Sequence, residues 1–235
     1  MPDRLIRTVE APATRDAILS MDLCLGACVV ALELDGQGVV AQRDVPMDRG
    51  HQERIAPLVR EVVAEAGIDL TRLRRIGVTT GPGSFTGLRV GLAFARTLAM
   101  TLRCECVGLS SLDALAATVP AGGTTLAAIP SRQDLTFVAF YVDGAPVAAA
   151  DQLALPEIAA RLAEIWTGGP LTLVGPAAAV LSALAPGATV HDIAFPSAAA
   201  LARRVAAVPA GGPPPRALYL RAPDARTLAE RGARV

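Results

Sequence analysis

The chain has 235 residues, 52% hydrophobic but only 3% aromatic, with 19% charged residues that sum to a formal net charge of zero. A globular chain of this length buries roughly 70–75% of its unfolded surface, so one large domain or two small ones need no disulfide or metal staple. Neutral charge excludes nucleic-acid binding through many phosphate contacts, and all 22 basic residues are arginine, which removes lysine-based Schiff-base chemistry and a P-loop lysine.

The first seventeen residues are charged throughout, carry Pro2 and Pro12, and are expected to form a loose extension (1–17) without the apolar stretch of a signal peptide. From Ala17 the pattern is strand-like: AILSMDLCL, ACVVALEL and GVVAQRDV follow one another with breaks at Gly26 and at Asp35–Gly38, the spacing of antiparallel neighbours. Ile55, Leu58, Val59, Val62, Val63 and Ala66 then recur at helical spacing, with Gly67 ending the run. Pro57 lies inside that helix, so the helix either starts a few residues before it or kinks there. RIGVTT reads as a buried strand, GPGSFTG as a turn, and about Leu88 to Arg103 as a second helix.

Beyond Val107 the order repeats in diverged form. LSSLDALAATV reads as a helix, TTLAAIP and LTFVAFYV as strands, LPEIAARLAEIW as a helix and LTLVG as a strand. The expected division is an N-terminal lobe at 18–106 and a C-terminal lobe at 107–235, an α/β arrangement of two sheet-and-helix units. Between Ala177 and Ala207 the alanine-rich sequence does not resolve into single helices; GGPPP marks a break before a last short strand, RALYLR. Cys24-x3-Cys28 and Cys104-x-Cys106 lack zinc-site spacing and lie in apolar runs, so they read as free thiols in a reducing cytoplasm. No stretch reaches the ~18 apolar residues of a membrane span.

The loop Gly81–Gly87 follows a strand and opens a helix, where free N–H groups and the helix dipole favour an anion. It is neither a P-loop nor GxGxxG, and Ser84 is not in G-x-S-x-G. Gly81, Gly83, Ser84 and Thr86 are the candidate anion-binding residues; a tight turn that lets a helix approach a sheet is an equal reading. Along the following helix, Gly87, Gly91, Ala95 and Ala99 form a small-residue ridge that would let a partner helix approach closely. Arg89, Arg96 and Arg103 make a stripe opposite Phe94, Leu98 and Leu102. The ridge, Arg89, Arg96, and His51 with Glu53 at the start of the preceding helix form the candidate partner interface.

GPGSFTGLRVGLAFARTLA resembles the TsaB (YeaZ) family of tRNA threonylcarbamoyladenosine biosynthesis subunits. So do ILSMDLCLGACVVAL, similar to that family's ILAIDTSTEACSVAL, and RGHQERIAPLV, VGLSSLDALA and ALYLRAPDA, in family order from Ile18 to Ala225. The resemblance implies a two-lobed actin-like ATPase fold (ASKHA, ribonuclease H-like) with mixed sheets flanked by helices. It implies a non-catalytic, activating subunit of a TsaD-like transferase, joined by a TsaE-like ATPase, with tRNA met only through the complex. It further implies ATP and metal on the partner, no cofactor, metal or catalytic residue on this chain, and self-pairing to a homodimer as an open question. His51 and His191 are far apart, so no HxxxH metal pair exists. Leu23 replaces the family's usual hydroxyl after Asp22, and Pro130 a frequent aspartate; both changes remove polar groups that a nucleotide site of this fold uses. The competing reading is a degenerate nucleotide-binding hydrolase or glycoprotease-like peptidase built on Asp22, Ser84 or His51.

Overall fold

The computed structural model describes residues 14–220. Two mixed sheets share one pairing scheme. The first has β1 (Ala17–Asp22), β2 (Ala27–Leu34), β3 (Gly38–Pro46), β4 (Leu73–Thr79) and β5 (Glu105–Leu109) in the order β3-β2-β1-β4-β5. β1–β2 and β2–β3 are antiparallel, whereas β1–β4 and β4–β5 are parallel. The second has β6 (Thr124–Pro130), β7 (Leu135–Val142), β8 (Ala145–Pro146), β9 (Asp151–Ala154), β10 (Leu171–Val174) and β11 (Thr189–His191). β7 pairs antiparallel with β6, β8 and β9, and β10 joins β6 to β11 by parallel pairing. The diverged repeat read from the sequence is therefore a repeat of sheet wiring.

Parallel neighbours need a crossover, and helices supply it. α1 (His51–Glu65) links β3 to β4 and α2 (Phe85–Leu102) links β4 to β5; α3 (Ser111–Ala116), α4 (Leu155–Ile165), α5 (Ala178–Leu181) and α6 (Ala198–Ala207) complete the set. α1 begins six residues before Pro57, which sits well inside it.

Strand alternation sorts the first core. Leu19, Met21, Cys28, Val30 and Leu32 face the α1 and α2 side with Leu58, Val62, Leu88 and Ala95. Ile18, Ala27, Val29 and Ala31 face the other side, where Leu201, Ala202 and Val205 of α6 cover them. Both faces are buried, which is why these strands read as nearly continuous apolar runs.

Three expectations change here. α6 falls within the range 107–235 assigned to the C-terminal lobe, yet it packs on β1 and β2 of the first sheet. Arg75, 5% exposed, holds it there: its guanidinium donates to Glu105 Oε2 at 2.7 Å and to the carbonyls of Val205, Ala206 and Val208 at 3.0, 3.1 and 2.7 Å. A buried cation at a helix C-terminus satisfies carbonyls that would otherwise be orphaned. The expected strand RALYLR is irregular over 216–220, where the Leu218 N–H donates to the Thr80 carbonyl; Arg221 lies outside the described residues. The loose extension ends earlier than residue 17: Arg15 donates to the carbonyls of Arg103 and Leu102, Asp16 pairs with Arg72, and Ala17 is already in β1. Residues 1–13 lie outside the described part.

Candidate functional site

The glycine loop is shaped by backbone crowding. β4 ends at Thr79, and the chain turns through Gly81, Pro82 and Gly83 to Ser84, the N-cap of α2, whose hydroxyl accepts the Gly87 N–H at 3.2 Å. The segment after β1 lies directly against this turn: the Ser84 N–H donates to the Cys24 carbonyl at 2.7 Å. A Cβ on Gly83 would come within 2.2 Å of that carbonyl oxygen, and one on Gly87 within 1.8 Å of the Leu23 oxygen. These glycines are required by close approach of two backbones.

The same contact settles the small-residue ridge. Gly87, Gly91, Ala95 and Ala99 are all buried within the chain, Gly91 facing Leu23 and Val78. Their candidacy as a partner interface is corrected, because all four are buried in α2's apolar face, Gly87 and Gly91 against the 22–24 segment and β4. Phe94, Leu98 and Leu102 pack partly buried beside it. His51 is likewise corrected from partner-facing to buried, at 6% exposure, while Glu53 is exposed and accepts from the Gln52 amide.

What α2 presents outward is a different row. Phe85 is 55% exposed, Met100 76% exposed, and Arg89, Ala93 and Arg96 lie exposed between them. The Arg89 guanidinium carbon sits 3.7 Å over the Phe85 ring, and Tyr219 stacks at a tilt on the same ring, 6.0 Å between centroids. Beside the row runs an open groove of about 870 Å³, lined by Ala93, Arg96, Met100, Cys104, Cys106 and Pro214 among others. The sequence reading missed Phe85 and Met100; their signal was their position on the arginine side of the helix, about 100° per residue around the wheel.

Between the lobes lies a second, smaller cavity of about 270 Å³, which brings His51, Gly83 and Ser84 together with Leu25, Met47, Asp48 and Pro130. Gly81 is buried, its carbonyl accepting the Ser111 N–H, and Thr86 is exposed outside the cavity. Asp22 is fully enclosed. Its Oδ1 accepts from the Thr79 hydroxyl and from the Cys24 N–H, and its Oδ2 has no partner. Burial pushes its carboxyl above the usual range against the opposing pull of those hydrogen bonds. Burial likewise pushes the Cys24 thiol up to about 12. All four cysteines are free, and among the described residues no three His, Cys, Asp or Glu side chains are grouped to hold a metal. The hydrogen bonds of Asp22 go to Thr79 and Cys24 and that of the Ser84 hydroxyl to Gly87, and none joins Ser84, His51 and Asp22 to one another.

The family model described as TsaD, tRNA N6-adenosine threonylcarbamoyltransferase, matches residues 39–212. The chain is similar to the tRNA threonylcarbamoyladenosine biosynthesis protein TsaB of Escherichia coli (strain K12), 37% identical over 127 residues that cover 53% of this chain and 54% of that protein. The chain belongs to the TsaB (YeaZ) family. The match thus spans about half the length of the E. coli TsaB. A longer one, 33% identical over 216 residues, covers 90% of this chain and 95% of an uncharacterized protein of Mycobacterium tuberculosis (strain H37Rv). Among solved structures, a Pseudomonas aeruginosa protein with similarity to peptidase YEAZ superposes with a TM-score of 0.75 at 25% identity, covering 88% of this chain and all of that one. The fold is the two-lobed actin-like ATPase type of this family.

Proposed function

We propose that this chain is a non-catalytic, activating subunit that docks a TsaD-like transferase on the outer row of α2, in a cytoplasmic complex forming threonylcarbamoyladenosine in tRNA. The observation that carries the reading is that row: Phe85, Arg89, Arg96 and Met100 stand exposed on a rigid 18-residue helix whose other face is anchored in the core. Exposed aromatic, methionine and arginine side chains on one face are the residue types enriched at interfaces. The sealed Asp22 supports the absence of chemistry, since a carboxyl that neither solvent nor substrate reaches cannot serve as acid or base. The name of the E. coli relative supports the pathway. ATP and metal belong to the partner in this reading, a TsaE-like ATPase joins the assembly, and tRNA is met through the complex.

The test is a titration of a TsaD-like subunit with this chain and its Met100→Glu variant, followed by a tRNA modification assay. Tight binding by the parent, weakening by tenfold or more in the variant, and modification dependent on the parent chain are expected. Equal binding by both would remove the α2 row from the interface. ATPase or peptidase turnover by the purified chain alone would overturn the non-catalytic role. Gel filtration of the isolated chain tests self-pairing through the same row.

A further inference from the structure

At about 100° per residue, Arg89, Arg96 and Arg103 fall within about 40° of one another around α2, and each stands roughly 10 Å from the next along the axis. All three are exposed, and among the described residues none pairs with a carboxylate. Arg15 adds a further exposed guanidinium at the C-terminal end of the helix, where it donates to the Leu102 and Arg103 carbonyls. The helix itself, FTGLRVGLAFARTLAMTL, contains no aspartate or glutamate. Elsewhere on the first lobe arginines are matched: Arg43 and Arg54 with Glu61 and Glu65, Arg72 with Asp16, and Arg74 with Asp35. An unmatched run of like charges repels itself, and an acidic partner relieves it.

The groove beside this run has the shape to take a helix. One wall is Ala93, Thr97 and Met100 of α2, and the other is the 210–214 segment with Gly211 and Gly212, so small side chains on both sides permit close backbone approach. The second wall is tied down, since Glu105 Oε1 accepts the Gly211 N–H at 2.9 Å while its Oε2 accepts from Arg75 at 2.7 Å. Glu105 is the one carboxylate among the described lining residues, and with both oxygens already paired it leaves Arg96 unneutralised in the same groove.

Given docking at the outer row of α2, on which this reading rests, we propose that the groove seats a helix of the TsaD-like partner that carries aspartate or glutamate at seven-residue spacing. Carboxylates seven apart on a straight helix repeat at the same ~10 Å as the arginines, so one helix aligned with α2 meets Arg89, Arg96 and Arg103 in register. The guanidinium fork takes each carboxylate through two hydrogen bonds. Phe85, Ala93 and Met100 stand between the arginines and call for apolar counterparts, which a phosphate backbone does not offer. A second copy of this chain fits no better: its own α2 would set arginine against arginine, and the Glu61 and Glu65 carboxylates of its α1 are already paired.

The experiment is titration of the TsaD-like subunit with the full chain at about 50 and about 500 mM salt, which shortens the reach of charge from roughly 14 to 4 Å. Binding by the parent should weaken about tenfold at the higher salt. Arg96→Glu should weaken it about tenfold at low salt, Arg96→Gln by less, and both should show a shallower salt dependence than the parent. Arg161→Glu, the same charge change on the second lobe, should bind as the parent does. Arg96 is exposed and without an ion pair, so melting temperatures should be unchanged. Hydrogen exchange on the complex should protect a helix of the partner bearing acidic residues seven apart. Tight binding that neither salt nor Arg96→Glu alters overturns the acidic helix and leaves docking on α2 standing, whereas no binding at either salt removes the docking reading and this one with it. Equal losses in Arg96→Gln and Arg96→Glu, or a protected segment without acidic residues, overturn the charge pairing. Binding of tRNA by the chain alone, lost in Arg96→Glu, or a dimer of the parent tighter than its complex, gives the groove to another occupant and overturns it equally.

Discussion

The inner and outer sides of α2 make opposite use of residue size. On the inner side Gly87 and Gly91 are small because the chain at 22–24 and strand β4 press against them, and Ala95 and Ala99 lie buried in the same core. On the outer side Phe85 and Met100 are large, apolar and exposed, with arginines between them. Small residues there mark a contact already made within the chain, and large exposed ones a contact available to another molecule. A ridge of glycine and alanine is thus an ambiguous sign of an interface, since it permits close approach by whatever backbone arrives first.

The contrast is broken most directly at Gly87. Gly87→Ala places a Cβ 1.8 Å from the Leu23 carbonyl oxygen, both atoms being backbone or bonded to it, so the 22–24 segment must move. The expected loss is about 3 kcal/mol, at the upper end of overpacking costs and beyond the ~1 kcal/mol gained from helix propensity. Thermal denaturation should show a melting temperature lower by roughly 5–10 °C; an unchanged value would mean that the inner face is not packed as described.

On the outer side, Met100→Glu should leave stability within about 0.5 kcal/mol while weakening binding of a TsaD-like partner by about tenfold. The paired measurement of melting temperature and affinity sharpens the contrast, because a fall in both would make Met100 part of the fold and not of a surface.

Asp22 tests the inner side through pH. Its folded-state carboxyl is raised above the 3.8 of the free group, chiefly by burial. The folded state therefore prefers the proton: the stability this group contributes is complete below the unfolded value and is lost as pH rises through the folded one. Asp22→Asn keeps the acceptor that Thr79 and Cys24 use and should flatten that decline, so its melting temperature gains on the parent as pH rises from 4 to 8. A difference constant across that range would show that Asp22 does not titrate in the folded protein within it.

The smallest effect is expected for Arg89→Ala. Its stacking on Phe85 at 3.7 Å is an exposed cation–π contact of ~0.5–1 kcal/mol. Chemical denaturation should register a loss of that size or less, and partner affinity should fall by less than for Met100→Glu.

Much of the architecture is legible in local pattern. The order of strands and helices through β7, the α4 and β10 segments, the hairpin breaks at Gly26 and Asp35–Gly38, and the repeat of the first half in the second follow from periodicity and turn residues, because these report on neighbours close in the chain, whereas the short β8, β9 and β11 and the alanine-rich α5 and α6 do not. The candidate site is legible only in part. Composition around the helix wheel separates an arginine side from an apolar side of α2, but not which apolar residues meet the sheet and which stay beside it. Glycine's close approach to Leu23 and Cys24 is set by a segment some sixty residues away, and burial of His51 by a cavity whose walls come from both lobes. Helix α6 lies on the first sheet, although it follows the second in sequence, because Arg75 offers its carbonyls a buried cation and Gly77 of β4, where a Cβ would lie 2.2 Å from Val205, leaves room for it. The sequence by itself determined the longer elements, their amphipathic faces and the family motif; tertiary structure alone decided which face was covered from within, since that depends on contacts between segments that no local period records.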